Sequence, residues 1–221
     1  LALGRLHRNK GFDVLLAAAH QHTRSATRPY RVLNLPCSTG EEAYSAAIAL
    51  QGLPCEIVAL DISAAAIARA RDATFGNSAF RGRSAEWQRC HFDFDGRHWR
   101  PRQGFNAVLR FEVGNLLALP PGLGAEPFDA VFCRNLLIYF DEAARQKAYA
   151  ALRRITRADT GLIFVGHAES ASAFDGGLQH VDHPMSFAFH NRAAARHRPR
   201  AARPVPVPLR PRPPVRPAVP P

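Results

Sequence analysis

Arg31-Val-Leu-Asn-Leu-Pro-Cys-Ser-Thr-Gly40-Glu-Glu-Ala-Tyr-Ser-Ala-Ala-Ile-Ala-Leu-Gln51 decides the fold of this chain. Residues 31–35 form a short apolar run that reads as a buried strand, and Glu41 to Gln51 read as a helix. Between them Pro36 and Gly40 punctuate a tight connection. The unit then repeats. Glu56-Ile-Val-Ala-Leu-Asp61 reads as a second strand and Ser63 to Ala73 as a second helix, with Ser63 as its N-cap. Strands alternating with helices of about ten residues predict a parallel sheet with helices packed on its faces.

Working outward, Phe12 to His20 combine apolar side chains with good helix formers and predict a lead-in helix. Residues 75–110 break the alternation. Phe80-Arg-Gly, Trp87, His91-Phe-Asp-Phe, Trp99 and Pro101 read there as an irregular insertion of short strands and turns. The rhythm resumes with strands at Arg110–Val113, Phe128–Cys133 and Gly161–Val165, and a helix from Glu142 to Thr156. In that helix Ala144, Ala148, Leu152 and Ile155 form a core-facing stripe, with Arg145, Lys147, Arg153 and Arg154 mostly on the wet face. Met185-Ser-Phe-Ala-Phe189 reads as a last, edge strand. Right-handed crossovers then give a doubly wound, mostly parallel α/β sheet with a small inserted subdomain, its ligand crevice at the carboxyl ends of the strands.

The 221 residues carry 29 Lys+Arg against 18 Asp+Glu, a formal net charge of +11, with 47% hydrophobic residues, which suits one well-buried core. The charge is unevenly placed. Residues 192–221 hold eight arginines, ten prolines and no acid, leaving only +3 for residues 1–191. That Arg/Pro-rich segment cannot offset the entropy of ordering and reads as a disordered tail, so the globular part carries no strong electrostatic invitation to nucleic acid. No run approaches the roughly 18 apolar residues of a membrane span, and the start of the chain shows no secretory pattern, so the expected compartment is the cytoplasm. Cys37, Cys55, Cys90 and Cys133 lack zinc-ligand spacing and read as reduced, mostly buried thiols, with no metal implied.

Three constellations carry chemistry. In the first, Cys37-Ser-Thr-Gly40 leads straight into a helix, where a G-x-G-x-x-G loop would cradle pyrophosphate. Only Gly40 is present and Glu41 and Glu42 follow, so a pyrophosphate would be repelled while a cofactor with a cationic amino acid would be welcomed. The same residues also suit a plain helix start with well-placed acids. In the second, Asp61 ends the next strand about twenty residues on, where an acid accepts hydrogen bonds from ribose hydroxyls or, alternatively, caps the following helix. Together they describe a site for an adenosine with a cationic, non-phosphate arm. S-adenosylmethionine is such a molecule.

The third is Phe128-Asp-Ala-Val-Phe-Cys-Arg134-Asn135-Leu-Leu-Ile-Tyr139-Phe-Asp141. A strand ending at Cys133 delivers Arg134, Asn135 and Tyr139 to the same rim, where a guanidinium fork can meet a carboxylate and a phenol can bond a reacting oxygen. The competing reading makes Arg134 a surface ion pair and Tyr139 a half-buried aromatic.

Ser38-Thr-Gly-Glu-Glu-Ala-Tyr-Ser45, Ala59-Leu-Asp-Ile-Ser63, Gly114-Asn-Leu-Leu117, the 128–141 stretch and Gly166-His-Ala-Glu-Ser170 resemble, in order, the motif series of the CheR-type chemotaxis receptor methyltransferases. The resemblance covers residues 30–190. It implies a class I methyltransferase, Rossmann-like fold that uses S-adenosylmethionine to form glutamate methyl esters on a chemoreceptor or related signalling protein. In the implied site Thr39 and Gly40 belong to the cofactor loop, Glu42 with Glu41 nearby faces the methionine end, and Asp61 faces the ribose. Asn115 and Leu116 border the adenine, and Arg134 and Asn135 close the pocket beside the methyl group. Tyr139 with Arg134 would position the substrate carboxylate as the catalytic pair. The insertion at 75–110 corresponds to the family's small β-subdomain that contacts receptors. The implied division is a remnant linker and lead-in helix at 1–29, a methyltransferase domain at 30–191 and the tail at 192–221.

Two other readings stay open. Relatives carry T-x-F-F-R before the lead-in helix, where this chain reads Gly4-Arg-Leu-His-Arg8-Asn-Lys-Gly-Phe12, which leaves room for a catalytically weak S-adenosylmethionine-binding sensor or docking module. The basic tail suggests a nucleic-acid methyltransferase, but Arg134-Asn-Leu-Leu-Ile-Tyr139 stands where an N/D-P-P-Y/F loop would stack a flipped base.

Overall fold

The computed structural model describes residues 11–80, 85–102, 107–183 and 186–192. The chain builds a seven-stranded sheet from β1 (Tyr30–Asn34), β2 (Cys55–Asp61), β5 (Ala107–Val113), β6 (Ala130–Cys133), β7 (Leu162–Val165), β8 (Gln179–His180) and β9 (Ala188–His190). Its order is β5-β2-β1-β6-β7-β9-β8. β5, β2, β1, β6 and β7 are parallel neighbours, and β9 runs antiparallel to both β7 and β8. The expected mostly parallel, doubly wound sheet is therefore present. The order reverses between β1 and β6, where Leu35 N–H donates to Phe132 O at 2.8 Å, and it is at such a switch point that this kind of sheet places its ligand crevice.

The period of two along each strand divides the core. Val32, Ile57, Phe132 and Phe164 pack with Phe12 and Leu15 of α1 (Phe12–Ser25) and with Ala46 and Ala47 of α2 (Glu41–Ala49). Leu33, Val58, Val131 and Ile163 face the other way, against Ala148, Leu152 and Ile155 of α5 (Glu142–Ile155). Asp141 caps α5 by accepting from Ala144 N–H at 2.8 Å. The helical stripe is shifted from the expected one: Tyr149 is buried in place of Ala144, and its hydroxyl meets Ser172 Oγ at 2.7 Å. α6 (Ser170–Asp175), which carries Ser172, follows β7.

Boundaries depart from the sequence reading where packing outweighs local pattern. α1 continues five residues past His20, to Ser25. The strand expected at 110–113 begins at Ala107, because its whole length pairs with β2 from Cys55↔Ala107 to Asp61↔Val113. The last strand lies at Ala188–His190 rather than 185–189: Phe187 has φ +46°, off the extended region, and Met185 lies outside the described residues. The described part of the insertion has the expected short strands and, in addition, a helix. It holds α4 (Ala85–His91) and an antiparallel pair, β3 (Phe92–Phe94) with β4 (Trp99–Pro101), around Phe75, Phe80, Phe92 and Trp99. Arg81 and Gly82, and the tail from residue 193, lie outside the described residues, as do residues 1–10. Among the described residues no helix is long and apolar enough to cross a membrane.

Candidate functional site

The crevice is built on the carboxyl ends of β1, β2, β5 and β6. After β1 the chain turns through Cys37, whose N–H donates to Leu60 O at 2.7 Å, to Gly40, which precedes α2 at φ +92°. A Cβ at Gly40 would lie 3.2 Å from Ala70 Cβ and 3.3 Å from the Tyr44 ring. Glycine is required both for the left-handed conformation and for the close approach of α3 (Ala64–Asp72).

Glu41 and Glu42 open α2, where the helix dipole favours anions, and both are buried. Thr39 Oγ1 donates to the Glu41 carboxylate at 2.7 Å. Glu42 is held from two sides: Asn34 Nδ2 donates to Oε2 at 2.9 Å and Arg134 Nη1 to Oε1 at 2.8 Å. Asn34 is 1% exposed and its Oδ1 accepts no hydrogen bond, an orphaned acceptor beside the acids. Asp61, at the end of β2, accepts from Ser38 N–H at 2.8 Å and Ser63 N–H at 2.9 Å. It therefore serves the start of α3 as well as the loop after β1. A carboxylate offers about four acceptor sites, so two backbone bonds leave capacity for a diol.

Gly114 N–H donates to Asp61 O at 2.9 Å, which brings the end of β5 to the same rim. There Asn115 Oδ1 accepts from Leu117 N–H at 2.9 Å, closing a short turn. The Leu116 side chain is buried in the core with Leu60, so any contribution it makes to a ligand comes through its backbone.

Arg134 leaves β6 with its side chain mostly buried, Nη1 on Glu42 and Nε donating to Val165 O at 3.3 Å. The surface ion pair considered from sequence is instead an enclosed one. Asn135 follows at φ +59°. Tyr139, on a 3-10 turn at Leu137–Tyr139, is 66% exposed, not the half-buried aromatic of the competing reading. The structure thus gathers Thr39, Gly40, Glu41, Glu42, Asp61, Arg134 and Asn135 at one end of the sheet, with Asn115 following Gly114, whose N–H bonds Asp61 O.

Cys37 and Cys133 are both buried near the crevice. Burial, with the Asp61 charge adding, pushes the Cys37 thiol up to about 12. Burial, then the charges of Glu169 and Glu42, pushes the Cys133 thiol well up. Among the described residues no group of His, Cys, Asp and Glu could hold a metal ion.

Two residues escaped the sequence reading. Asn34 was visible as a polar residue following the apolar pair Val32-Leu33 in that strand. Glu169 lay within the quoted Gly166–Ser170 motif without a role, yet it is 1% exposed and accepts four backbone N–H bonds, from Gly166, Asn135, Leu136 and Leu137.

Residues 5–187 match the family described as CheR methyltransferase, SAM binding domain. The chain is 41% identical over 187 residues to the probable biofilm formation methyltransferase WspC of Pseudomonas aeruginosa, covering 81% of this chain and 43% of that protein. It is 33% identical over 164 residues to the chemotaxis protein methyltransferase of Escherichia coli, covering 68% of this chain and 56% of that one. The chain spans about half the length of the curated relatives it matches. Among solved structures, the citrinin polyketide synthase CMeT domain superposes with a TM-score of 0.51 at 15% identity, covering 82% of this chain and 52% of that one, a likeness of fold.

Proposed function

Since the chain belongs to the CheR methyltransferase family, matching its SAM-binding domain, we propose that it transfers a methyl group from S-adenosylmethionine to a glutamate side chain on a chemoreceptor or related signalling protein. In this reading residues 30–191 form the catalytic domain, with the 75–110 insertion as its receptor-facing subdomain.

The observation that carries the proposal is the acidic lining of the switch-point crevice: Glu41, Glu42 and Asp61 are buried there, with the Arg134 guanidinium paired to Glu42. Such a lining fits a ligand with an ammonium and a sulfonium charge and disfavours phosphates. The orphaned Asn34 Oδ1 adds an acceptor to that wall. When bound, S-adenosylmethionine supplies an electrophilic methyl group on a cationic sulfur.

The protein's part is binding and orientation. Glu42, fixed by Asn34 and Arg134, presents a preset carboxylate to the amino-acid end, and Glu41 adds charge beside it. Asp61 retains lone pairs for the ribose hydroxyls, and Asn115 stands beside it at the adenine end. Tyr139, exposed five residues after Arg134, is assigned with Arg134 to the incoming carboxylate. The acceptor glutamate, with a reference pKa of about 4.3, is ionised at neutral pH and requires no general base. Alignment and exclusion of water are what remain, and proximity alone is worth roughly 7–11 kcal/mol of barrier.

The test is incubation of the protein with tritiated S-adenosylmethionine and receptor-containing membranes, followed by alkaline release of volatile methanol. Base-labile label that disappears in Asp61→Ala is the expected result. Label that is absent, or stable to alkali, overturns the assignment of a glutamate ester.

A further inference from the structure

A further buried carboxylate, Glu169, is held by backbone amides beside the crevice. Glu169 sits on the 3-10 turn His167–Glu169 that follows β7. Its Oε2 accepts from Gly166 N–H at 2.6 Å and Asn135 N–H at 2.8 Å. Its Oε1 accepts from Leu136 N–H at 2.8 Å and Leu137 N–H at 2.7 Å. Three successive amides, 135 to 137, thus converge on one carboxylate. Such a run with one left-handed residue is an anion nest, and here the anion belongs to the chain itself. Asn135 supplies the left-handed step at φ +59°, a conformation asparagine tolerates better than other residues with a side chain. Gly166 is part of the same lock, because a Cβ there would stand 2.6 Å from Glu169 Oε2 and 3.2 Å from Asn135 N.

The turn held in this way begins at the residue after Arg134. The direction in which Arg134 leaves β6, and hence the meeting of its guanidinium with Glu42, depends on the backbone of 135–137 staying in this conformation. We propose that Glu169 is the positioning residue of the crevice, acting through the nest at 135–137 to hold Arg134 against Glu42. The inference rests on the reading of the crevice as the cofactor site. It adds a residue 34 positions beyond Asn135 in sequence, on a separate element, whose charge is fully enclosed. A neutral amide is the informative replacement. Glutamine has one oxygen, so its NH2 group would be turned toward backbone N–H donors, leaving buried donors unpaired while volume is conserved.

The experiment measures binding of S-adenosylhomocysteine by calorimetry to the protein, Glu169→Gln, Arg134→Ala and the double variant, well below each melting temperature. If Glu169 acts through Arg134, Glu169→Gln weakens binding about tenfold or more, as loss of supporting contacts behind a ligand-binding group does. In the Arg134→Ala background the same change then adds less than about twofold, because non-additivity marks residues that act as a unit. Unchanged binding in Glu169→Gln, or a full and additive loss in the double variant, overturns the proposal. Should Glu169→Gln not fold, Glu169→Asp takes its place in the same cycle; failure of both to fold makes Glu169 a residue of the fold alone and also overturns it. A wild-type protein that binds S-adenosylhomocysteine but transfers no base-labile methyl group overturns the proposed function and leaves this inference standing, whereas one that binds none overturns both.

Discussion

Glu42 and Arg134 meet at 2.8 Å although 92 residues separate them. The pair spans the switch point, joining the first residues of α2 to the end of β6. Its coupling is measurable. In a double-mutant cycle with Glu42→Gln and Arg134→Ala, residues in such direct contact should show an interaction energy of about 1–3 kcal/mol in the free energy of S-adenosylhomocysteine binding. Additive losses would mean that the two side chains contribute to the crevice separately.

Asp61 has two tasks, which distinct substitutions separate. Asp61→Asn keeps an oxygen for one of the two backbone donors, Ser38 or Ser63, but loses charge and lone pairs, and should lower affinity for S-adenosylmethionine by about tenfold, roughly 1.4 kcal/mol, with a modest stability change. Asp61→Ala strands both amides and should lower the melting temperature as well. Calorimetric affinities and thermal melts of the two variants, side by side, decide this.

Gly40→Ala combines a strained backbone, φ +92°, with a Cβ 3.2 Å from Ala70 Cβ. Expected is a stability loss of about 1–3 kcal/mol in urea unfolding, with weaker cofactor binding from the displaced loop. A variant as stable as the parent would show that the loop relaxes freely.

At the opposite end of the sheet, Asp129 accepts from Arg28 at 2.6 and 2.7 Å, from Arg31 N–H at 2.9 Å and from Arg157 at 2.9 Å. Burial alone would raise its pKa, but these bonds outweigh it and hold the carboxyl below the usual carboxylate range. A depressed folded-state pKa contributes stability that is complete above the unfolded value, about 3.9, and is lost as the pH falls through the lower folded value. Asp129→Asn should therefore cost about 2 kcal/mol at pH 7, between the worth of an exposed and a buried pair, and the gap from the parent should narrow on acidification toward pH 3. A gap independent of pH would trace the loss to packing instead.

Thiol reactivity offers a check without mutation. Cys90 is exposed, whereas Cys37, Cys55 and Cys133 are buried, with Cys55 pushed up to about 11 by burial. Iodoacetamide at pH 8 should add one group to the native protein, at Cys90, and four after denaturation. Rapid alkylation of Cys37 in the native state would place the loop after β1 in a more open arrangement.

Much of the fold was legible because its signals are local. The apolar run at 31–35, the acids at 41 and 42, the glycine at 40 and the acid at 61 each constrain their own few residues, and the elements they predict are present. The insertion was less legible because α4 buries no residue and its neighbours are ordered by a cluster of aromatic rings drawn from Phe75 to Trp99, which has no periodic signature. Tyr149 replaced Ala144 in the α5 stripe because what counts is the space beside Ser172, a residue on another helix.

The sequence by itself determined the alternation of strands and helices, the glycine that lets α2 begin close to α3, and the acidic character of the loop after β1. Its motif series also pointed to the family. Only the tertiary structure decided which groups face one another: Arg134 with Glu42, Glu169 with the amides of 135–137, and Arg28 with Asp129, 101 residues apart. The physical reason is that residue spacing sets geometry only within an element. Distances between strand ends are set by the order in which crossovers lay the strands side by side, and it is across those ends that the crevice is assembled.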